Sequence, residues 1–239
     1  MSQGPQARPR RVGHKGAAHI EVGNTLASFD AALAHGMDMI ELDVLSENPD
    51  GSGRLLVGHD YGDLAERPPL TFEEALDHLS SETFARMEID VDIKLPGYEM
   101  PVLDALRERD LVARTLISGM FPKGLDRIRA AEPSLRLGWS VPRVSRDYTT
   151  DVLTAIPALA VLTGYRAALP VRAGRALRHG RFDAIMAHWR VVTKALVKAV
   201  ASAGGELYVW TVDDARMIDK LTAMGVDGII TNDPRLFSR

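Results

Sequence analysis

Residues 39–44 read MIELDV in one-letter code and place Glu41 and Asp43 two positions apart in a run rich in Ile, Leu and Val. Since successive side chains of a β-strand point to opposite faces, both carboxylates share one face of the predicted strand. Two such carboxylates repel each other unless one is protonated or a cation lies between them, and a hard divalent ion is the usual remedy. The stretch therefore predicts either a cation-binding strand or an exposed edge strand with two acids.

Short β-like runs alternate with longer helical runs along the 239 residues, of which 46% are hydrophobic. This pattern is typical of parallel strands joined by helices, and a strand count slightly above eight favours an α/β fold, the (β/α)8 TIM barrel. The predicted strands cover residues 11–17, 39–46, 86–95, 113–118, 135–141, 182–189, 206–212 and 226–231. Residues 55–60 return after a turn-rich segment, which predicts a short hairpin after strand 2, with little or no inserted cap domain.

The helices between these strands are predicted from apolar spacing and from their end signals. They cover residues 25–35, 72–80, 100–109, 122–131, 193–203 and 213–224, and Thr71 with Glu74 predicts a capping box. Residues 147–181 are predicted to be helical, with interruptions at Pro157 and Pro170. We expect residues 1–10 to form a disordered tail and residues 11–239 a single barrel domain, whose final covering helix is missing or supplied from elsewhere.

Composition narrows the functional classes. The net charge of −3 gives no global reason to expect nucleic acid or an anionic membrane as partner, and the absence of cysteine excludes disulfides, thiolate metal sites and a cysteine nucleophile. No stretch approaches the ~20 apolar residues of a membrane span, and no apolar targeting segment follows the polar start. We expect a cytoplasmic protein without stable membrane insertion, and the oligomeric state stays open.

A second acidic strand is predicted at residues 86–94, where Glu88, Asp90, Asp92 and Lys94 alternate with apolar residues. All four ionisable side chains then share one face. A solvent-facing edge strand could carry such a face, but strands of a parallel barrel are normally buried on both sides. This strand therefore indicates a functional site.

Two histidines are predicted near the same end of the barrel, His14 after the first strand and His59 after the hairpin return. Active sites of such barrels lie at the C-terminal ends of the strands. The ordinary histidine pKa of ~6.5 allows one ring to be neutral and another charged near pH 7. Either histidine alone would more often be structural, but beside two acidic strands they favour acid–base chemistry.

An ordered set of short motifs now carries a family resemblance. The motifs are residues 12–16 (VGHKG), 24–25 (NT), 41–43 (ELD), 57–60 (VGHD), 92–94 (DIK), 116–118 (LIS), 210–212 (WTV) and 228–234 (GIITNDP). Together they resemble the glycerophosphodiester phosphodiesterase family, whose usual motifs are HRG, ENT, ELDV, HD and EIK. The resemblance spans nearly the whole chain and implies a barrel that cleaves a phosphodiester with two histidines and a divalent cation.

The resemblance also implies roles for individual residues. The metal ligands would be Glu41, Asp43 and Asp92, and the metal Mg²⁺ or Ca²⁺. The other roles are these: His14 and His59 as base and acid, Lys15 and Lys94 as phosphate-binding cations, and Trp210 as a wall of the substrate pocket. The implied reaction is metal-dependent hydrolysis of a small-molecule substrate, a glycerophosphodiester or lysophospholipid, to an alcohol and glycerol 3-phosphate, through a cyclic phosphate.

Three positions differ from the family motifs. Lys15 replaces the arginine, Gly23 replaces the glutamate before Asn24, and Asp92 replaces a glutamate. One carboxylate of the family's metal shell is thereby lost, and Glu88, Asp90 or Glu21 could compensate for it. Two other functions stay open: a lyase of the sphingomyelinase D type that stops at the cyclic phosphate, and a non-catalytic barrel that binds a phosphate ligand.

Overall fold

The structure is a computed structural model that describes residues 8–66, 68–142 and 152–238, with side chains throughout these ranges except at residues 152–160. Within these ranges, ten strands form one sheet: β1 (Arg10–Gly13), β2 (Met39–Ser46), β3 (Leu55–Val57), β4 (Leu70–Thr71), β5 (Glu88–Ile93), β6 (Thr115–Gly119), β7 (Arg136–Val141), β8 (Ala184–His188), β9 (Glu206–Trp210) and β10 (Gly228–Thr231). All except β3 and β4 are parallel neighbours, and β1 pairs with both β10 and β2. The sheet therefore closes into the predicted eight-stranded barrel.

Eight helices are described around this barrel. They are α1 (Leu26–Ala34), α2 (Tyr61–Glu66), α3 (Phe72–Leu79), α4 (Glu99–Arg107), α5 (Pro122–Ala131), α6 (Val152–Arg178), α7 (Lys194–Ser202) and α8 (Ala215–Met224). Short 3₁₀ helices lie at Glu82–Phe84, Val112–Arg114, Trp189–Val191 and Pro234–Phe237. The predicted capping box is confirmed, because the Thr71 hydroxyl accepts from the Glu74 amide while the Glu74 carboxylate accepts from the Thr71 amide.

The alternation of β2 has the consequence predicted for it. Ile40, Leu42 and Val44 pack in the large core between barrel and helices, while Met39 joins the apolar cluster inside the barrel. Glu41 and Asp43 share the inward face with Met39. The hairpin is also confirmed, since β3 runs antiparallel to β2 and β4 antiparallel to β3.

A ring of charged side chains closes the N-terminal mouth of the barrel. Arg10 contacts Glu88 at 3.2 Å and Glu206 at 2.8 Å, and Arg136 contacts the same two glutamates at 2.8 and 2.6 Å. Arg136 also donates to the Tyr208 hydroxyl at 2.9 Å. We call these five residues the N-terminal ring. Its two positive and two negative charges are paired throughout.

Several predicted boundaries differ from the structure. The first strand is shorter than predicted, because Lys15 and Gly16 take left-handed conformations with φ of 52° and 83° and turn the chain out of the sheet. Between the predicted hairpin return at residues 55–60 and the predicted helix at residues 72–80 the structure has α2 and β4, neither of which was predicted. Pro170 does not interrupt α6, and buried Leu169 and Ala173 hold that part of the helix against the barrel.

Both ends of the chain also bear on the predictions. Residues 1–7 of the predicted tail lie outside the described residues, as do residues 147–151. At the start of the described chain, Arg8 pairs with Asp38 at 2.6 Å and β1 begins at Arg10. Where a final covering helix was expected to be missing, the 3₁₀ helix Pro234–Phe237 lies against the barrel, with Phe237 beneath the Arg11 guanidinium at 5.6 Å.

Candidate active site

Three of the predicted carboxylates meet at the C-terminal mouth of the barrel. Asp43 on β2 and Asp92 on β5 are register partners, and Glu41 lies one inward position below Asp43. Each of the three offers a ligand oxygen, and these oxygens all lie within 4.8 Å of one another. The side chains of Glu41 and Asp43 are only 5% and 0% exposed, so water contributes little to solvating their charge. We call these three residues the acidic cluster.

Two lysines face the acidic cluster. The Lys94 ammonium lies 2.5 Å from Asp43 Oδ1 and 2.6 Å from Asp92 Oδ2, and the Lys15 ammonium lies 3.4 Å from Asp43 Oδ2. Both lysines were predicted to bind phosphate, and the structure places both ammonium groups against the predicted metal ligands. Three ionised carboxylates and two ammonium groups leave an excess of one negative charge.

The protonation of this group reflects that excess. Burial, with repulsion from Asp43, raises the pKa of Glu41 well above its ordinary value. Burial opposes ionisation of Asp43 too, but Lys94 and Lys15 outweigh it and lower the pKa of that carboxyl. Burial likewise disfavours the Lys94 ammonium, and Asp43 and Asp92 outweigh it and raise the pKa of the lysine. Asp43 is therefore the fixed anion of the cluster, while ionised Glu41 needs further positive charge.

The donor set fits a hard divalent cation. Among the described residues, Asp92 Oδ1 is buried and accepts no hydrogen bond, while Asp43 Oδ1 lies against the Lys94 ammonium. Carboxylate oxygens are the ligands that Mg²⁺ and Ca²⁺ prefer. Because Lys94 lies between Asp43 and Asp92, a cation bound by both would compete with its ammonium group. The acidic cluster therefore fits a divalent cation, and the Lys94 ammonium already places a positive charge beside it.

None of the three acids suggested as compensating for Gly23 belongs to the acidic cluster. Glu88 lies at the opposite mouth, in the N-terminal ring, and Glu21 is exposed. Asp90 is buried beneath Asp92, where burial and the neighbouring Asp92 raise its pKa to about 8. A side chain at position 23 would start 3.0 Å from the Cβ atoms of Ala18 and Lys15, so there is little room for one without adjustment.

His14 follows β1 directly and is held at the edge of the acidic cluster. Its Nδ1 lies 2.6 Å from Asn232 Oδ1, and its Nε2 lies 3.8 Å from Glu41 Oε2. The next residue, Lys15, donates its backbone amide to Glu41 Oε2 at 2.8 Å, which fixes the turn after the strand. Burial lowers the pKa of His14, although Asp43 and Asn232 oppose this. A lowered pKa keeps the ring neutral near pH 7, so that one ring nitrogen has a lone pair that can accept a proton.

His59 lies in a different environment. The Gly58 amide donates to the Asp43 backbone carbonyl at 3.0 Å, which sets the start of this loop beside the acidic cluster. The His59 ring is 50% exposed, and its Nδ1 lies 3.1 Å from Asp60 Oδ2. Asp63 accepts the His59 amide at 3.0 Å and steadies the turn. One predicted catalytic histidine is thus enclosed, and the other is accessible to solvent.

Trp210 ends β9 at the same mouth. Its indole nitrogen donates to the Met186 carbonyl at 2.9 Å, which fixes the ring plane. The indole meets His188, its register partner at the end of β8, edge to face at 5.1 Å. The predicted wall residue therefore has a neighbour, His188, for which the sequence predicted no role.

Three more residues that contact the site had no predicted role. Asn24 donates to Asp43 Oδ2 at 3.0 Å and accepts from the Asp43 amide at 3.2 Å, from a left-handed backbone with φ of 59°. Asn232 contacts His14, and Asp213 accepts from Asn232 at 2.7 Å. The signal that could have found them is an Asn or Asp directly after a predicted strand or before a helix.

Comparisons with known proteins agree with this fold. The model of the glycerophosphoryl diester phosphodiesterase family matches residues 70–236. A glycerophosphodiester phosphodiesterase of Caldanaerobacter subterraneus is 25% identical over 93% of this chain and 93% of its own, and one of Arabidopsis thaliana is 24% identical over 96% of this chain and 72% of its own.

Solved structures show the same barrel. A protein of Silicibacter pomeroyi described as a putative glycerophosphoryl diester phosphodiesterase aligns with a TM-score of 0.76, 18% identity, and coverage of 98% of this chain and 93% of its own. An Oleispira antarctica phosphodiesterase, solved in complex with the product sn-glycerol 3-phosphate, aligns with a TM-score of 0.72, 18% identity, and coverage of 97% and 96%.

The fold is that of a TIM barrel with acidic and histidine side chains at the C-terminal mouth, where enzymes of this fold have their active sites. Since the family model covers more than half of the sequence, the chain belongs to the glycerophosphoryl diester phosphodiesterase family. The predictions of this family, of the fold and of an enzyme are confirmed. Within the described ranges, no helix has both the length and the apolar character that crossing a bilayer demands.

Proposed function

We propose that the protein hydrolyses glycerophosphodiesters to glycerol 3-phosphate and an alcohol, with a divalent cation held by the acidic cluster. The observation that carries this proposal is the convergence of Glu41, Asp43 and Asp92 beside His14, with Asp92 Oδ1 buried and accepting no hydrogen bond among the described residues. Such an arrangement is costly for stability alone, because buried like charges repel one another. Small glycerophosphodiesters or lysophospholipids are the proposed substrates, acted on by a single domain, residues 11–239, in the cytoplasm.

The two histidine environments support different roles for the two rings in this reaction. In the first step, His14 Nε2 takes the proton of the glycerol hydroxyl next to the phosphoester, and that oxygen forms a bond to phosphorus. The bond from phosphorus to the alcohol breaks, and protonated His59 supplies the proton of the leaving alcohol. Water then opens the cyclic phosphate with the two roles exchanged. Neutral His14 suits the role of base, and the exposed ring of His59 suits exchange with solvent protons.

The other side chains provide charge and position. A Mg²⁺ or Ca²⁺ ion held by Glu41, Asp43 and Asp92 would stabilise negative charge on the phosphate oxygens. Lys15 and Lys94 supply two ammonium groups at the same mouth, as point charges rather than the forked contact of an arginine. Trp210 offers an aromatic surface for the part of the substrate beyond the phosphate.

A ³¹P NMR time course of glycerophosphoethanolamine with Mg²⁺ or Ca²⁺ tests this function. Hydrolysis predicts a glycerol 3-phosphate signal that is abolished by EDTA and restored by excess metal. A cyclic glycerophosphate that accumulates and persists would instead identify a lyase. The absence of any product, together with a higher melting temperature in the presence of glycerol 3-phosphate, would identify a binding protein. Full turnover in EDTA would contradict the metal assignment.

A further inference from the structure

A chain of side-chain hydrogen bonds runs from His14 away from the acidic cluster. His14 Nδ1 lies 2.6 Å from Asn232 Oδ1, and Asn232 Nδ2 donates to Asp213 Oδ2 at 2.7 Å. His14 follows β1, Asn232 follows β10 and Asp213 lies shortly after β9, so three neighbouring strands of the barrel present the chain. His14 is thereby linked, through the Asn232 side chain, to a carboxylate that belongs to neither the acidic cluster nor the N-terminal ring.

The chemistry of the three groups fixes the direction of each bond. The Asp213 carboxylate only accepts, so the Asn232 NH₂ group faces it and the Asn232 carbonyl oxygen faces His14. That oxygen also only accepts, so the proton of the neutral His14 ring must be on Nδ1. The lone pair is then on Nε2, the atom on the side of Glu41 and the acidic cluster. Asp213 thus determines the orientation of an amide, and the amide determines the tautomer of the histidine.

Further hydrogen bonds hold the three side chains of this series in place. Asp213 Oδ1 accepts from the Thr231 hydroxyl at 2.9 Å and from the backbone amide of Asn232 at 2.8 Å. The backbone carbonyl of Asn232 accepts from the backbone amide of His19 at 3.0 Å, and the backbone carbonyl of Thr231 accepts from the backbone amide of His14 at 2.8 Å. Rotation of the Asn232 side chain would therefore break its bond to a carboxylate that is itself anchored.

We propose that Asn232 and Asp213 are positioning residues, which hold His14 in the Nδ1–H tautomer with its Nε2 lone pair directed to the site of proton transfer. This inference rests on the proposed role of His14 as a base. It predicts that both residues act on turnover only through His14. A purely structural role, in which they secure the end of β10, predicts instead that their loss lowers stability without changing the tautomer.

The first test is a direct measurement on chelator-treated protein without substrate. Two-bond ¹⁵N–¹H spectra of the histidine rings, assigned with His14→Ala, report which ring nitrogen carries the proton. We expect Nδ1–H in the unsubstituted protein. In Asp213→Asn the amide at position 213 can donate, which allows Asn232 to reverse and shifts His14 toward Nε2–H. An unchanged tautomer in Asp213→Asn and Asn232→Ala would overturn the inference, whatever the activity.

The second test is a double-mutant cycle on kcat. Asn232→Ala should lower kcat by about 10- to 100-fold, part of the 10²–10⁴-fold that a positioned proton-transfer group contributes, with little change in KM. In the His14→Ala background the same substitution should cost nothing further, because residues that act through one another are not additive. Equal losses in both backgrounds would contradict the inference alone, whereas a fully active His14→Ala enzyme would contradict the proposed function.

Asp233→Asn is the matched control. Asp233 adjoins Asn232 in the chain, but its carboxylate pairs with Arg235 at 2.7 Å. We expect this variant to keep both the His14 tautomer and kcat. If it behaved like Asp213→Asn, the effect would come from disturbing the turn after β10, and the inference would be wrong.

Discussion

The two mouths of the barrel both contain clustered charges, but only one mouth balances them. In the N-terminal ring, two arginines face two glutamates, and each arginine contacts both glutamates. In the acidic cluster, three carboxylates face two lysines. The balanced mouth is built for stability. At the unbalanced mouth, ionisation of all three carboxylates produces a repulsion that a bound cation would relieve, which is typical of a functional site.

The largest effect is expected from replacing the two histidines at the C-terminal mouth. His14→Ala and His59→Ala should each lower turnover of an alkyl diester by about 10²–10⁴-fold, because each removes a proton-transfer group. On a glycerophosphoryl aryl ester the leaving group needs no proton, so the first step of His59→Ala should largely recover while that of His14→Ala should not. Stopped-flow release of the aryl alcohol measures this step. Equal impairment of both variants on both substrates would show that the division of roles is wrong.

At the balanced mouth we expect a loss of stability and no loss of activity. Arg136→Met leaves the half-buried Glu88 and Glu206 without one of their two cationic partners, which should lower the free energy of unfolding by about 1–3 kcal/mol. Urea unfolding measures this loss. Arg54→Met is the control, because Arg54 and Glu47 form an exposed pair and should contribute less than about 1 kcal/mol. A tenfold fall in kcat for Arg136→Met would mean that the two mouths are coupled.

A smaller effect is expected when the ammonium group of Lys94 is removed. Lys94→Met takes away the ammonium that lies between Asp43 and Asp92, so Ca²⁺ should bind roughly tenfold or more tightly. The metal-free variant should also unfold at lower temperature. Calorimetric titration of Ca²⁺ measures the affinity, with the exposed Lys198→Met as a control for net charge. Weaker binding in Lys94→Met would show that Lys94 helps to build the site rather than competing for it.

The smallest expected effect is on the loss of stability at acidic pH. Burial opposes ionisation of Glu206, but Arg136 and Arg10 outweigh it and lower the pKa of this carboxyl in the folded state. The stability it contributes is therefore present above its unfolded-state pKa of about 4.5 and lost as the pH falls through the lower folded value. Glu206→Gln should show a shallower loss of stability in urea unfolding below that pH. Parallel curves for the two proteins would contradict the assignment.

The sequence was most informative where side chains alternate strictly. Strand β2 has the predicted bounds, and the placement of Glu41 and Asp43 on one face followed from their spacing alone. The same alternation could not separate the roles of Glu88 and Asp92, which share a face. Four residues of a strand span roughly 13 Å, enough to place one at each mouth. Only the register of the closed barrel shows which mouth each reaches.

Three site residues to which the sequence assigned no role lie in turns. Asn24, Asp213 and Asn232 belong to no periodic pattern, and their contacts depend on how neighbouring strand ends meet. The left-handed turn at Lys15 and Gly16 was hidden by the apolar residues around it, so strand 1 was predicted too long. At Pro170 the burial of neighbouring residues maintains a helix that local preference alone would have interrupted.

The most direct test of the account is calorimetric titration of Ca²⁺ and Mg²⁺ into chelator-treated protein, with Asp43→Asn and Glu206→Gln beside it. The account predicts one ion per chain for the unsubstituted protein and for Glu206→Gln, and the loss of binding in Asp43→Asn. If none of the three proteins binds either ion, or if Asp43→Asn binds as tightly as the unsubstituted protein, the acidic cluster is not a metal site and the proposed contrast between the two mouths fails.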